Sequence, residues 1–438
     1  MIAKSAMLLM VCFSSVWAGE LRAGYARTDV TPREPVRLGG YDLRGAPASG
    51  VHGNDRLYVR CLVFDDGSQK LAFVEADVIG LRGHDEFRKR ISERTGIPVS
   101  NILLGDEHNH AAPAPGPAGE TAWEKSFDAA LVATVEKAVS NLQAARVGAG
   151  DGHSRIAMNR RQVKPQDIDS YLTFDENNSS QSFGKYTTNQ PVKLHEFAGV
   201  MRLGANPAGS IDDAVQIVRI DTAEGKSLAV MVHYACHGTS LGGRNDKVSS
   251  EWMGHMQEYI ERQIPGVGTI YVQGAAGDIN PRVVGGLDGY EDSIEVTRQL
   301  GYEIGREVVR VHSSLRTEPI ASPIEVRTKD ILLPRTYREV MRDFRDTTVH
   351  TPTTAVRVGD LMWVTFPGEL FHAIGQKVKA ACPSSHAHLA GYANGYIGYF
   401  PEQKAYAEGG YEPATSHLDP AAENVYLREI AELLKLFR

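Results

Sequence analysis

The sequence predicts an α/β fold, a layered mixed sheet with flanking helices and a functional site at the strand carboxyl ends. Three observations carry this expectation. Strand-like apolar runs alternate with amphipathic stretches along most of the 438 residues, which is the grammar of layered α/β proteins. No Gly/Ser-rich linker, fixed-period repeat or heptad array divides the chain, so residues 19–438 read as one large domain. Four of the strand-like runs end in residues able to bind a metal or move a proton.

The elements follow in order. "MIAKSAMLLMVCFSSVWAGE" reads as an export signal. Lys4 supplies the basic start, Ala6 to Phe13 a short apolar run, and Val16-Trp17-Ala18 a small-residue cleavage site with the cut after Ala18. The run is too short to span a bilayer, and no other segment is apolar for long enough. The expected location is therefore secreted or periplasmic. "LYVRCLVFDDGSQKLAFVEADVIGL" reads as two strands around an Asp-Asp-Gly turn. A charged helix follows at "HDEFRKRISERTG", then the strand "NILLG". In "TAWEKSFDAALVATVEKAVSNLQAA" the residues Trp123, Phe127, Leu131, Val135, Val139 and Leu142 recur at helical spacing, which buries one face.

Residues 164–200 break the pattern. They are polar and weakly periodic, and they read as a surface excursion or lid. Asn177 and Asn178 each begin a glycosylation triplet there. The alternation then resumes. "VQIVRIDTAEGKSLAVMVHYACH" is a hairpin running into His237. "SSEWMGHMQEYIERQI" is a helix with Trp252, Met256, Tyr259 and Ile260 on one face and Ser249 or Ser250 as its cap. "GTIYVQ" is a strand ahead of "GAAGDINP", and "DLMWVTF" is a strand ahead of "PGEL".

The formal net charge of −7 disfavours nucleic acid and anionic membrane surfaces as partners. Beyond the export signal the cysteines are Cys61, Cys236 and Cys382. That sparse, odd set is no disulfide framework, although one bridge stays open.

The chemistry gathers at the strand ends. "NILL" is followed by His108 and His110, "LAVMVHYAC" by His237, "TIYVQ" by Asp278 and "MWVTF" by Glu369. Two imidazoles and a carboxylate suit zinc and leave a position for water, whose pKa the ion lowers towards ~7. In an extended segment, residues two apart face the same side. One histidine of His-x-His can therefore bind metal while the other meets water or substrate. Plainer readings stand beside this one. "SSHAHLAG" places His386 and His388 at the same spacing. His237 reads equally as a core histidine, Glu369 as a carboxylate favouring a helix start, and Asp278 as a turn cap. Asp106 and Glu107 read as a solvated turn.

The motifs "LLGDEHNHAAPAPG", "VHYACHGTSLGG", "VQGAAGDINPR", "FPGEL" and "GYANGYIGYFPEQKAYAEGGYE" stand in one order. Together with "AGYARTDVTP", "LGGY" and "GVHGNDRLYVRCLVF" near the start, they resemble the catalytic domain of the neutral, non-lysosomal ceramidase family. The resemblance runs from about Arg22 to Glu412. It implies a zinc-dependent amidase that splits the N-acyl bond of ceramide into sphingosine and a fatty acid. By the same resemblance His108, His237, Glu369 and Tyr399 hold the metal. Tyr411 steadies the reacting carbonyl oxygen, and His110 lies close to the activated water. Asp77, at the end of "LAFVEAD", and Asp278 are candidates to fix a ligand histidine's tautomer. His386 and His388 fall where the family has no ligands, so they become strand residues on a partly solvated face.

Two departures matter. Asn280 stands where the family motif usually carries Ser, so no nucleophile is available at that position and hydrolysis goes through activated water. The C-terminal β-sandwich module of full-length ceramidases finds no match in this sequence. The substrate therefore stays open between ceramide, another acylated amine and a modified glycan. A binding protein that keeps the fold without activity is the reading from a different class.

Overall fold

Side-chain alternation along the strands fixes the layering. The computed structural model describes residues 20–41, 44–117, 119–165, 199–286, 293–336 and 346–437. The expected export signal and most of the 164–200 excursion lie outside the described residues. In chain order the strands are β1 (Arg22–Asp29), β2 (Tyr58–Asp65), β3 (Lys70–Ala76), β4 (Ile102–Asp106), β5 (Gln143–His153), β6 (Ala157–Pro165), β7 (Gly199–Asn206), β8 (Ala214–Thr222), β9 (Ser227–Tyr234), β10 (Gly268–Gln273), β11 (Ile279–Pro281), β12 (Glu318–Pro319), β13 (Ile324–Pro334), β14 (Thr348–Val358), β15 (Leu361–Thr365), β16 (Glu369–Leu370), β17 (His386–Ala390) and β18 (Tyr399–Phe400).

The large sheet runs β10-β9-β8-β5-β1-β2-β3-β4, with β12 beside β5. It is mixed: β3 and β4 pair in parallel, as do β9 and β10, while β1–β2 and β8–β9 are antiparallel. A second sheet, β13-β14-β15-β17, stacks on it. Val59, Cys61 and Val63 of β2 face helices His84–Thr95 and Ala122–Ser140, while Leu62 and Phe64 face the second sheet. β15 does the same with Trp363 toward the large sheet and Met362 and Val364 toward helix Ala422–Leu434. Both faces of these strands are buried, hence four layers: helices, sheet, sheet, helices. Phe73 and Trp363 meet across the sheet interface with ring centroids 4.9 Å apart.

Each helix and strand expected from the sequence forms close to its predicted place. The strand in "DLMWVTF" belongs to the second sheet. The cap of helix Glu251–Gln263 falls on one of the two expected serines. Ser250 occupies the cap position, but it is the Ser249 Oγ that accepts from the Glu251 N–H (3.1 Å).

The two halves of the large sheet pair at Arg22–Ala144 and Ala23–Gln143, and β10 of one half packs against β2, β3 and β4 of the other. Gln273, closing β10, then ties three strand ends together. Its Nε2 donates to the Glu107 carbonyl after β4 (3.2 Å) and to the Cys236 carbonyl after β9 (2.8 Å). That carboxamide brings His108 and His237 to one place.

Candidate metal centre

His108 leaves β4 with φ +53°, a left-handed turn that its own N–H steadies by donating to Asp106 Oδ1 (3.1 Å). The ring stacks on Tyr392, with centroids 4.4 Å apart. His237 follows β9, and its N–H donates to the Ile279 carbonyl (3.1 Å). His110 sits where the Asn109 backbone pairs with Gly238. Gly40 approaches its ring so closely that a Cβ there would lie 2.2 Å from Nδ1. Arg44 clamps this corner by donating to the carbonyls of Gly39 (3.0 Å), Gly242 (2.8 Å) and His110.

The ring tautomers follow from the partners. His108 Nδ1 lies 3.0 Å from the Ile79 carbonyl and His237 Nδ1 lies 2.9 Å from the Ile279 carbonyl. A carbonyl only accepts, so both Nδ1 atoms carry the proton. Both Nε2 lone pairs then face Glu369 Oε2, at 3.6 Å from His108 and 3.0 Å from His237. Burial pushes the His108 pKa down to about 4. Burial and the neighbouring His108 and His237 hold His110 well below the usual histidine range. Burial pushes Glu369 up, but His108, His237 and Arg160 outweigh it and draw its pKa to about 2. Near pH 7, neutral His108 therefore stands beside a carboxylate, its Nε2 lone pair aimed at Glu369 Oε2. Two imidazole nitrogens and a carboxylate oxygen this close together are a donor set that fits a metal ion, with the Arg160 guanidinium, 3.2 Å from His237 Nε2, as a cation already beside them. His108, His110 and His237 also offer nitrogens within 4.8 Å of one another. Among the described residues neither His110 ring nitrogen has a hydrogen-bond partner.

The remaining expected residues fall as follows. Tyr399 lies opposite Glu369 in the parallel register of β16 and β18, which places two residues distant in sequence side by side. Burial and Glu369 push its phenol well above the usual tyrosine range, against the pull of Arg160. Tyr411 opens the short helix Tyr411–Thr415, its ring edge-on to Tyr399 at 5.4 Å. Burial raises its pKa.

Two expected roles are corrected. Asp77 does not reach a histidine: its carboxylate takes the buried Arg60 guanidinium and the Tyr58 N–H (2.9 Å). Asp278 holds His372, accepting from its N–H (2.9 Å) and lying 2.7 Å from its Nδ1. The carbonyls of Ile79 and Ile279 orient the rings instead. The acids in "GDEHNH" are no solvated turn either, for Asp106 and Glu107 are buried. Asp106 caps the His108 turn, and Glu107 Oε1 accepts from Gln257 Nε2 (2.9 Å). His388 is buried as well, stacked on His233 at 4.3 Å and on Trp363, because β17 faces the large sheet.

Four residues went unseen in the sequence. Arg160 is buried, with Nε donating to Glu412 Oε1 (2.8 Å) and Nη1 lying 3.2 Å from His237 Nε2. Arg161 joins the same Glu412 through Oε2 (2.9 Å). Successive strand residues normally point to opposite faces, but the register shift between Asn159 and Arg161 lets both reach one carboxylate. Tyr396 donates to Glu369 Oε1, the oxygen turned away from the histidines, and stays 52% exposed at the rim. Asn394 Oδ1 accepts from the Leu104 N–H (2.9 Å) and ties this tyrosine loop to β4.

Glu75, Asp77, Asp106 and Glu107 are all buried behind the histidines. Burial, then Asp106, Glu107 and Asp77, raise Glu75 well above the usual carboxylate range. A raised folded pKa contributes stability that is complete below the ordinary glutamate pKa and is lost as pH climbs toward the folded value. Glu75→Gln removes that loss. It should gain stability relative to wild type as pH climbs from 5 to 8. Urea midpoints at the two pH values measure this, and an equal gap at both would refute it.

The sequence model of the neutral/alkaline non-lysosomal ceramidase N-terminal domain matches residues 21–293. The chain belongs to this family. It is 24% identical over 304 residues to the neutral ceramidase of Drosophila pseudoobscura pseudoobscura, covering 65% of this chain and 40% of that protein. The Drosophila melanogaster neutral ceramidase is 24% identical over 281 residues, with 60% and 36% covered. The chain thus spans about 40% of the length of the curated relatives it matches. In fold it resembles a solved ceramidase complexed with C2, with TM-score 0.73 and 16% identity over 96% of this chain and 75% of the other. The neutral ceramidase of Pseudomonas aeruginosa gives TM-score 0.72 and 16% identity over 95% and 74%. Glu369, Tyr399 and Tyr411 lie beyond the family-matched residues, where the likeness is of fold.

Proposed function

We propose that this ceramidase-family chain is an exported, zinc-dependent hydrolase that cleaves an N-acyl amide bond, with ceramide the first substrate to test. The observation that carries the reading is the aim of the His108 and His237 Nε2 atoms at one oxygen of Glu369, with both tautomers held by backbone carbonyls. His108, His237, Glu369 and Tyr399 would hold the ion. Zinc bound there supplies Lewis acidity and a water acidic enough to attack at neutral pH. His110, with its ring centroid 4.8 Å from that of His108 and both nitrogens unpartnered, takes the proton of the attacking water and returns it to the leaving amine. Tyr411 keeps its phenolic proton through its raised pKa and donates it as a hydrogen bond to the acyl oxygen as charge builds there. The exposed ring of Tyr396 at the rim favours an apolar acyl chain.

Metal analysis of the exported protein, with an acid-release assay on N-acyl lipids and N-acyl sugars, tests the reading. Zinc with fatty acid release supports it. Release from sugars alone would replace the substrate and keep the chemistry, and absence of bound metal would overturn the reading. An intact mass beginning elsewhere than Gly19 would overturn the export cut. Tyr411→Phe is expected to lower kcat about a hundredfold with zinc content unchanged; loss of zinc in that variant would reassign Tyr411 to metal binding.

A further inference from the structure

Beside the metal centre, three segments contribute a hydrogen-bonded chain of Ser210, His372 and Asp278. Ser210 sits on the exposed loop between β7 and β8, with Oγ 2.8 Å from His372 Nε2. His372 opens helix His372–Ala381 at 3% exposure, and its Nδ1 lies 2.7 Å from Oδ2 of Asp278, itself 2% exposed. The carboxylate is fixed from two further directions, by the His372 N–H on Oδ1 (2.9 Å) and by Asn159 Nδ2 on Oδ2 (3.1 Å). A carboxylate only accepts, so Nδ1 carries the proton. In the neutral ring Nε2 then presents its lone pair to the Ser210 hydroxyl. Serine to imidazole to buried carboxylate is the order that activates a serine for attack.

We propose that Ser210, His372 and Asp278 form a second, metal-independent acyl-transfer site that takes small esters delivered from solvent. Ser210 Oγ attacks the ester carbonyl carbon while its proton passes to His372 Nε2. The bond to the leaving alcohol breaks, and the alcohol takes that proton. Water then attacks the acyl-serine, giving its proton to Nε2. The acid leaves, and the proton returns to Ser210 Oγ, so that ester and water become acid and alcohol. Among the described residues no backbone carbonyl accepts from the Ser210 or Ile211 N–H. The open loop encloses no long acyl chain, hence the limit to small acyl groups. Asp278 offsets the effect of burial and raises the His372 pKa, as the carboxylate of such a triad does. The inference does not rest on the zinc reading.

The test is an alkyl fluorophosphonate, which serine attacks at phosphorus with loss of fluoride. Peptide mass spectrometry of the folded full chain should find the adduct on Ser210, formed about a hundredfold faster than on any other serine. Ser210→Ala should remove that adduct, and His372→Gln should slow it about a hundredfold. His237→Ala should still be labelled. A Ser210 rate equal to that of other surface serines would overturn the proposal, and this comparison within wild-type protein holds even where His372→Gln folds poorly. An unchanged rate in folded His372→Gln would also overturn it, leaving the chain as a pin for the loop.

Discussion

His237→Ala is expected to release the metal and cut amide hydrolysis about a thousandfold while the protein stays folded. The fold survives because the main-chain bond from the residue 237 N–H to the Ile279 carbonyl, at 3.1 Å, does not depend on the side chain. Metal binding does not survive, because the Nε2 lost is the one nearest Glu369 Oε2, at 3.0 Å. Equilibrium dialysis with zinc beside the rate assay reads both effects, and full activity in the variant would remove the metal mechanism. A contrast comes from the orienting groups. Where a carboxylate steadies a ligand histidine, its loss typically costs 10–100-fold in metal affinity. Here backbone carbonyls do that work. Asp77→Asn should therefore leave zinc affinity within about threefold, well short of that loss, and act on stability through Arg60. A tenfold loss of affinity in Asp77→Asn would restore the role the sequence had suggested for that residue.

Much of the fold was legible because apolar runs of strand length and helical periodicities are local signals. The second sheet was not, since β15 looks the same in sequence whichever sheet it joins. The histidines of the candidate metal site were legible by type and by their place at strand ends. Their convergence depends on Gln273, whose carboxamide reads as one polar residue among many until its partners after β4 and β9 are seen. Tyr399 came from family resemblance alone, because the register that sets it opposite Glu369 is a pairing across 30 residues of chain. The orienting carbonyls were invisible for a deeper reason: every residue has one, so residue type carries no trace of them. Asp106 and Glu107 looked solvated because acids at a strand end usually are. Only the packing of Gln257 and the His108 turn shows why they are buried.

Arg160→Ala is expected to be the most damaging single change to stability near the site, at about 3–5 kcal/mol. Arg160 and Glu412 are both buried and meet at 2.8 Å, so truncation leaves a carboxylate without half of its charge balance. Arg161 remains on Glu412 at 2.9 Å, which predicts the lower end of the range and a milder effect for Arg160→Lys. That lysine keeps the charge but cannot serve Glu412 and the Asn280 side chain from one planar group. Activity should fall in both variants even in the folded fraction, because the guanidinium also faces His237 Nε2 and the Tyr399 ring. Urea titration gives the stability term, and rate per folded molecule gives the other. Glu412→Gln separates the two causes. If the damage is the unbalanced carboxylate, the double variant Arg160→Ala with Glu412→Gln should be more stable than Arg160→Ala alone. If it is no more stable, the loss comes from packing around Tyr399, and the ion pair contributes little to holding the site together.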